Sequence, residues 1–155
     1  MRPEAETGAA AHFRALESLY RHAPINRMFD SEIEIASEGF ARIRLTVEEA
    51  VFHAAGAAHG TLYFKMLDDA AFYACNSMVT DQFLLTTAFN LHFTRPIRSG
   101  PVIAEGRWVS GRRRVYVGDA RLIDASGEEA ARGTGTFMRS RIPLAGLPGY
   151  RTGGG

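Results

Sequence analysis

The sequence has few of the features that would place it outside ordinary globular proteins. Its single cysteine, Cys75, cannot form an internal disulfide. It has no signal peptide and no apolar run of about 18 residues, so we expect no transmembrane helix and a cytoplasmic location. The 5 histidines form no group with metal-ligand spacing, and no internal repeat occurs. We therefore expect a domain without disulfides and without a bound metal.

Charge is nearly balanced, with 18 Lys+Arg against 17 Asp+Glu residues and a formal net charge of +1. This balance gives no general attraction to nucleic acid or to an anionic membrane, although a local anion site can still form. The 155 residues, 46% of them hydrophobic, suffice for one core and leave no room for a second domain of typical size. We expect neither nucleic acid nor a membrane as a partner.

Hydrophobic periodicity predicts one domain over residues 9–141, between a mobile N-terminal segment, 1–8, and an irregular tail, 142–155. A short amphipathic helix is predicted to end before Pro24, and a long helix, buried on most sides, spans about 59–79. The segments predicted as strands are 33–35, 41–47, 84–94, 102–110, 114–123 and 128–139. The last four are predicted to form a consecutive antiparallel meander. The expected fold class is α+β, with the long helix against an antiparallel sheet of about five to six strands.

The start and the middle of the predicted long helix both carry residues suited to chemistry. Gly60 lets a ligand approach the unpaired N–H groups at the helix start, where an oxygen that gains negative charge can be held. Asp68 supplies a carboxylate on an otherwise apolar helix. The two lie about 12 Å apart along the axis, too far to serve one carbonyl carbon. If both act on one substrate, the simplest arrangement sets two copies of the helix antiparallel across a twofold axis, so that the site is shared.

The same segment resembles the hotdog-fold thioesterases, and most closely the phenylacetic-acid-degradation type. Members of that type read approximately Asn-x-x-Gly-x-x-His-Gly-Gly, followed by Leu-Ala-Asp-Thr-Ala at the matching distance. The corresponding residues here are His53-Ala54-Ala55-Gly56-Ala57-Ala58-His59-Gly60-Thr61 and Met66-Leu67-Asp68-Asp69-Ala70. Phe93-Thr94-Arg95-Pro96 is similar to the family's strand that ends in an Arg-Pro turn, and the resemblance covers about residues 20–140.

The resemblance implies a hotdog fold and an acyl-CoA thioesterase that works without a metal or an organic cofactor. In such an enzyme the Gly60 amide binds the thioester oxygen, and Asp68 of the facing subunit is the nucleophile or the general base that activates water. The implied partners are the acyl-CoA substrate and a second copy of the chain, in a homodimer that could pair again into a homotetramer. The acyl group, the choice between CoA and acyl carrier protein, and the route of attack stay open.

Three positions depart from the family pattern. His53 replaces the usual Asn or Gln that orients the water or the carbonyl; an imidazole could donate the same hydrogen bond or titrate near neutral pH. Thr61 replaces the second glycine and is assigned to substrate binding, where it could narrow the pocket or supply a hydroxyl. Asp69, also assigned to substrate binding, stands where relatives commonly have threonine, four residues after Lys65, so a solvated face or a supporting hydrogen bond is expected. His59 matches the family and is assigned to the site, either as a structural histidine or as a proton carrier.

Arginines at predicted turns are candidates for the phosphates of coenzyme A, because guanidinium groups match phosphate oxygens. Arg95, Arg112 and Arg113 are assigned to substrate binding, although each one alone is also an ordinary solvated turn residue. Phe72 is assigned to the lining of the acyl pocket, with a plain core role as the alternative.

Simpler interpretations stand beside each of these assignments. Asp68 could pair with Lys65 on a solvated helix face, and Gly60 could serve only close packing. Cys75 is expected to be a buried small side chain rather than a nucleophile. At the level of function, the alternatives are a hotdog hydratase or dehydratase, which needs a histidine against the acid, and a non-catalytic acyl-CoA-binding protein.

Overall fold

A computed structural model describes residues 8–153 of the chain. The helices are α1 (Gly8–His22) and α2 (Gly60–Asn76). The strands are β1 (Ser31–Ser37), β2 (Phe40–Val47), β3 (Gln82–Phe93), β4 (Gly100–Ser110), β5 (Val115–Ile123) and β6 (Glu129–Pro143). Short 3₁₀ turns at Pro24–Arg27 and Glu49–Val51 precede β1 and α2. The predicted mobile segment 1–8 lies outside the described residues except for Gly8, which begins α1. No helix within residues 8–153 is long and apolar enough to cross a membrane.

The six strands form one antiparallel sheet in the order β1-β2-β4-β5-β6-β3, with α2 packed against it. The predicted α+β fold, one long helix on a sheet of about six antiparallel strands, is confirmed. The predicted four-strand meander was wrong, because β3 does not pair with β4 but lies at the sheet edge beside β6. The connection 94–99 does not turn back as a hairpin, since it is tied to the start of α2. Ala58 N–H donates to Ile97 O at 2.7 Å, and the Tyr63 hydroxyl donates to Arg95 O at 2.9 Å.

Two glycines on the sheet let α2 approach β4 and β5 closely. A Cβ at Gly106 would lie 2.1 Å from the carbonyl carbon of Ala70, and one at Gly118 would lie 2.9 Å from Cys75 Sγ. Any larger residue would push the helix away, because side-chain atoms cannot approach so closely. This packing sets the height of α2 above the sheet, and with it the positions of Gly60 and Asp68.

The fully buried Asn76 ends α2 three residues before the predicted end. Its side-chain amide donates to Val79 O at 3.2 Å and to Gln82 O at 3.1 Å, and its Oδ1 accepts from Leu84 N–H at 2.9 Å. These bonds replace the helical pattern and start the edge strand β3 directly after the helix. The strand then runs back along α2 and brings Thr86 beside Asp68.

The C-terminal segment is irregular after β6 but packs against the helices. Leu144 is fully buried, and the Tyr150 hydroxyl donates to His12 Nδ1 at 2.7 Å while His12 Nε2 donates to Asn76 O at 3.0 Å. Burial lowers the pKa of His12, although hydrogen bonds to backbone carbonyls oppose the change. A neutral His12 therefore joins α1, α2 and the tail.

Candidate functional site

The start of α2 is capped by a histidine. Gly60 is the first residue of α2, and His59 is its N-cap. His59 Nδ1 accepts the Thr61 N–H at 3.0 Å and the Thr61 hydroxyl at 2.7 Å, so Nε2 carries the proton of the neutral ring. The cap satisfies the N–H of Thr61. The N–H of Gly60 has no carbonyl within its own helix to bind, which leaves it suited to a ligand oxygen.

Gly60 opens into a cavity of about 390 Å³ between the start of α2 and the end of β3. The other residues that line it are His53, Ala57, Ala58, Tyr63, Phe93, Thr94, Arg95 and Pro96. A Cβ added at Gly60 would lie 3.4 Å from Phe93 Cζ, which is a tight but tolerable contact. The absence of a side chain at Gly60 thus matters more for access to its N–H than for folding.

His53 lies in this cavity with one ring nitrogen already engaged. Its Nδ1 accepts the Ala55 N–H at 3.0 Å, and its own backbone N–H donates to Ala57 O at 2.8 Å. The neutral ring therefore carries its proton on Nε2, as a hydrogen-bond donor on the exposed side chain. This geometry leaves Nε2–H available as a donor, which is one of the two possibilities that the sequence leaves open for His53.

Asp68 lies two turns farther along α2, in a second and more apolar cavity of about 260 Å³. Thr86 Oγ1 donates to Asp68 Oδ1 at 2.9 Å. Burial beside Phe72, Leu84 and other apolar side chains raises the pKa of Asp68 to about 6; the Asp69 charge adds to the rise, whereas Thr86 and the Lys65 charge oppose it. A carboxylate of this pKa is largely ionised at neutral pH and basic enough to take a proton.

The ion pair on this helix is made by Asp69. Lys65 Nζ lies 2.5 Å from Asp69 Oδ2, so the alternative pairing of Lys65 with Asp68 does not form. Burial raises the pKa of Asp69, and the charge of Lys65 and its hydrogen bond oppose that rise. Of the two possibilities that the sequence leaves open for Asp69, the structure has the hydrogen bond: the side chain is 23% exposed, accepts from Lys65 and lines the same cavity as Asp68.

The predicted site residues are divided among three cavities of one protomer. Gly60, His53 and Arg95 share the first, whereas Asp68, Asp69 and Phe72 share the second. His59 and Thr61 line a third cavity with Met28, Phe29, Ala50, Val51, Phe52 and Leu62. One protomer therefore presents the amide donor and the acid in different places.

The candidate arginines also separate into two groups. Arg95 lies at the first cavity, with its guanidinium 3.7 Å from Asp124 and 3.6 Å from Glu128. Arg112 and Arg113 lie in the turn between β4 and β5, where the guanidinium of Arg112 stacks 4.4 Å above the ring of Trp108. An 11-residue strand, β4, separates the two turns by roughly 35 Å. The three arginines do not form one anion site within a protomer.

Cys75 is completely buried on α2, and burial raises the pKa of its thiol to about 12. It is a small core side chain, as the sequence predicts, rather than a nucleophile. Among residues 8–153, no group of three or more His, Cys, Asp or Glu side chains could hold a metal ion.

Sequence reasoning missed Thr86 and the surroundings of Lys65. Thr86 is one of two adjacent threonines on β3 and carries no local signal, because only the packing of the edge strand beside α2 brings its hydroxyl to Asp68. Asn26 accepts a hydrogen bond from Lys65 across 39 positions of the chain, and no helical periodicity indicates that contact.

The sequence and the fold are both similar to those of known proteins. The family model described as thioesterase superfamily matches residues 55–131. A protein of Saccharolobus solfataricus with a provisional esterase name is 24% identical over 123 residues, which are 79% of this chain and 82% of that protein. The PaaI protein of the E. coli phenylacetic acid degradation operon has a TM-score of 0.80 at 21% identity, covering 88% of this chain and 99% of that chain. A PaaI variant from Thermus thermophilus has a TM-score of 0.69 at 22% identity, covering 76% of this chain and 100% of that chain.

Proposed function

Because the chain belongs to the thioesterase superfamily and has the hotdog fold, we propose that it hydrolyses acyl-CoA thioesters in sites shared between two subunits. Gly60 of one subunit donates its N–H to the thioester oxygen, and Asp68 of the facing subunit acts as nucleophile or general base. The observation that carries the proposal is the state of Asp68, a carboxylate with a raised pKa, held by Thr86 in an apolar cavity. A surface carboxylate with only a structural role is neither desolvated nor surrounded by apolar side chains, as Asp68 is.

The reaction needs one electrophile, one base or nucleophile and one oxyanion donor. Attack on the carbonyl carbon moves an electron pair onto the carbonyl oxygen, which accepts a hydrogen bond from Gly60 N–H. Collapse of this intermediate breaks the carbon–sulfur bond and releases the CoA thiolate, which takes a proton. If Asp68 attacks, water then hydrolyses the resulting anhydride; if Asp68 is the base, it takes the proton of the attacking water. Both routes give a free acid and CoA thiol.

His53 completes the donor side of this site. Since its Nδ1 is held by the Ala55 N–H, its Nε2–H is the donor that can orient the carbonyl or the water. The imidazole thereby replaces the amide that relatives carry at this position, with one donor instead of two.

The surface proposed to bind the second subunit is the outer edge of β3, with the exposed aromatic rings beside it. The outer edge of β3 has no neighbouring strand within residues 8–153. Phe64 on α2 and Phe93 on β3 are 40% and 56% exposed, and Phe64 packs edge-on against Phe89 with ring centroids 5.7 Å apart. An antiparallel second copy at this edge would cover these rings and continue the sheet. The same arrangement sets Gly60 of one subunit toward Asp68 of the other, and sedimentation decides whether two such dimers form a tetramer.

The arginines fit this shared arrangement unequally. Arg95 lies beside the Gly60 cavity and is the arginine placed to meet a phosphate of CoA bound there. Arg112 and Arg113 lie at the opposite end of β4, so they contact the same ligand only when the other subunit contributes them. Their role in substrate binding is therefore tied to the dimer.

The decisive experiment is release of free thiol from a panel of aryl- and fatty-acyl-CoA substrates. We compare the wild type with Asp68→Asn and with the control Asp30→Asn, which changes an exposed carboxylate before β1. The expected result is hydrolysis that Asp68→Asn abolishes and Asp30→Asn preserves. A wild type that hydrolyses nothing in the panel would contradict the proposal; addition of water to an enoyl-CoA would then identify a hydratase, and tight acyl-CoA binding alone would identify a binding protein.

A further inference from the structure

Lys65 is the only lysine in the chain, and its side chain is 14% exposed. Its ammonium donates to Asn26 Oδ1 at 2.6 Å and to Asp69 Oδ2 at 2.5 Å. The same ammonium lies 5.4 Å from the ring centre of Tyr20 and 5.1 Å from that of Phe29. Two rings and two hydrogen-bond acceptors thus hold one cation in a fixed place, although a lysine on a helix surface is ordinarily mobile and solvated.

Apart from Asp69, the residues that hold this cation lie in one N-terminal stretch of the chain, far from Lys65 in sequence. Tyr20 belongs to α1, Asn26 to the 3₁₀ turn that follows it, and Phe29 to the segment before β1. Asn26 is itself fixed, because its side-chain amide donates to Tyr20 O at 2.7 Å. The N-terminal part of the domain therefore fixes the position of the Lys65 ammonium. Lys65 itself lies about one helical turn before Asp68 and Asp69 on α2.

Asp68 and Asp69 both line the cavity of about 260 Å³, and Lys65 binds two of its lining residues, Asp69 and Asn26. Two carboxylates in one partly dry cavity oppose each other's ionisation, so that one of them tends to keep its proton. Lys65 reaches one of them directly. The proton balance of the cavity therefore depends on where the cation is held.

We propose that Lys65 is a positioning residue for the proposed reaction: by neutralising Asp69, it leaves Asp68 as the single free carboxylate of the cavity. This inference rests on the proposed function and adds a residue to it. Asp69 is then the counter-ion that fixes the cation, and Asn26 is the group that orients it. Asp68 keeps the hydrogen bond that its Oδ1 accepts from the Thr86 hydroxyl.

The other groups around the cavity do not replace this cation. On α1 and α2 the titratable neighbours are Tyr20 and Tyr73, and burial raises the pKa of both hydroxyls, so they stay neutral. The strand β3 contributes Thr86 and apolar side chains, and the 3₁₀ turn contributes the neutral Asn26. Within residues 8–153, Lys65 is the only cationic side chain found to act on the charges of both Asp68 and Asp69.

The test is the pH dependence of turnover in three variants that alter the charges one at a time and together. Lys65→Met keeps the apolar stem and removes the cation, so the acidic limb of the profile should move to higher pH. A shift of one pH unit lowers activity about fivefold near pH 6 and leaves it almost unchanged at pH 8, since only the ionised fraction of Asp68 changes. Asp69→Asn leaves the cation unopposed and should move the limb to lower pH. The double variant Lys65→Met/Asp69→Asn should return the limb toward the wild-type position.

Several outcomes would overturn the inference. A structural lysine predicts that Lys65→Met lowers the melting temperature and reduces turnover equally at every pH, with no recovery in the double variant. If Lys65→Met does not fold, Asp69→Asn still tests the proposal. An acidic limb that stays in place or moves to higher pH in Asp69→Asn contradicts it.

A titration without substrate separates this inference from the proposed function. The carboxyl carbon of Asp68, assigned as the NMR signal missing in Asp68→Asn, should titrate at higher pH in Lys65→Met than in the wild type. If the wild type hydrolyses no thioester, the proposed function fails while this titration still measures the effect of Lys65. If hydrolysis depends on Asp68 but neither the profile nor the titration moves, only the role of Lys65 fails.

Discussion

Thr86 on the edge strand and Asp68 on the central helix are joined by a hydrogen bond of 2.9 Å, with the threonine hydroxyl donating to the carboxylate. The bond joins the first half of β3 to the middle of α2, and its two residues are 18 positions apart in the sequence. Because the hydroxyl lowers the pKa of Asp68 and burial raises it, Thr86 counteracts part of the desolvation that the apolar side chains of α2 and β3 impose. The protonation of Asp68 is thus set by both elements.

Thr86→Val should shift the acidic limb of the pH–rate profile upward by about one pH unit, because a hydrogen bond to a charged group contributes about 1.5–3 kcal/mol. Valine keeps the shape of threonine, so the fold should persist. Thr87→Val is the matched control, since the hydroxyl of Thr87 bonds to Thr136 and not to Asp68. A limb that stays in place in Thr86→Val, or that moves equally in Thr87→Val, contradicts this role.

Asp68→Asn should stabilise the protein at neutral pH. The pKa of Asp68 is raised from 3.8 to about 6, so the folded state favours the protonated acid. The preference of protonated Asp68 for the folded state contributes to stability fully below about pH 4, and this contribution is lost as the pH rises through about 6. Asparagine removes the charge, so its free energy of unfolding at pH 7.5 should exceed that of the wild type by about 2 kcal/mol. Urea unfolding at pH 7.5 and at pH 4 measures this gap, which should shrink at the lower pH.

Gly60→Pro should remove the oxyanion donor and leave the helix intact. Proline is favoured at the first position of a helix, and His59 already has φ −65 and ψ 145, the extended conformation that precedes proline well. Loss of one oxyanion donor lowers turnover by about 10²–10³-fold. Gly60→Ala is the control that keeps the N–H and adds a methyl group near Phe93. Equal losses in the two variants would assign the effect to bulk and not to the N–H.

Mixing two inactive variants should restore activity if the site is shared. Co-refolded Asp68→Asn and Gly60→Pro chains form mixed dimers in about half of the population, each with one intact site, so about a quarter of wild-type turnover should return. A site contained in one protomer predicts no recovery. Mixing without subunit exchange is the negative control, and sedimentation verifies that mixed dimers have formed.

His53→Asn should keep turnover within about threefold of the wild type, because an amide can donate the hydrogen bond that Nε2–H provides. His53→Ala removes the donor and should lower turnover by about tenfold, the effect of roughly 1.4 kcal/mol for one hydrogen bond. The ring is exposed, so both variants should unfold at nearly the same temperature as the wild type. Equal turnover in all three proteins would exclude a role for His53 in orienting substrate or water.

Much of the fold followed from local signals. The broad apolar stripe of the long helix, the small residues before Gly60 and the alternating strands predict the elements, because side-chain burial has period 3.6 or 2 along the chain. The order of the strands did not follow, since the position of β3 depends on its pairing with β6, some 45 residues later, and on the anchoring of the connection near Ile97. Pairing between distant strands leaves no periodicity to read.

The candidate site divides in the same way. The residues themselves, with Gly60 eight positions before Asp68, are visible in the sequence, and helix geometry alone already separates them by about 12 Å. The properties of Asp68 come from tertiary structure: its desolvation, its bond to Thr86, and the binding of Lys65 by Asp69 and Asn26. The amino-acid sequence determined which groups are available and how they are spaced along α2. Only the folded structure decided which carboxylate is paired and which is free, because burial and hydrogen bonding between distant segments set the charge of each group.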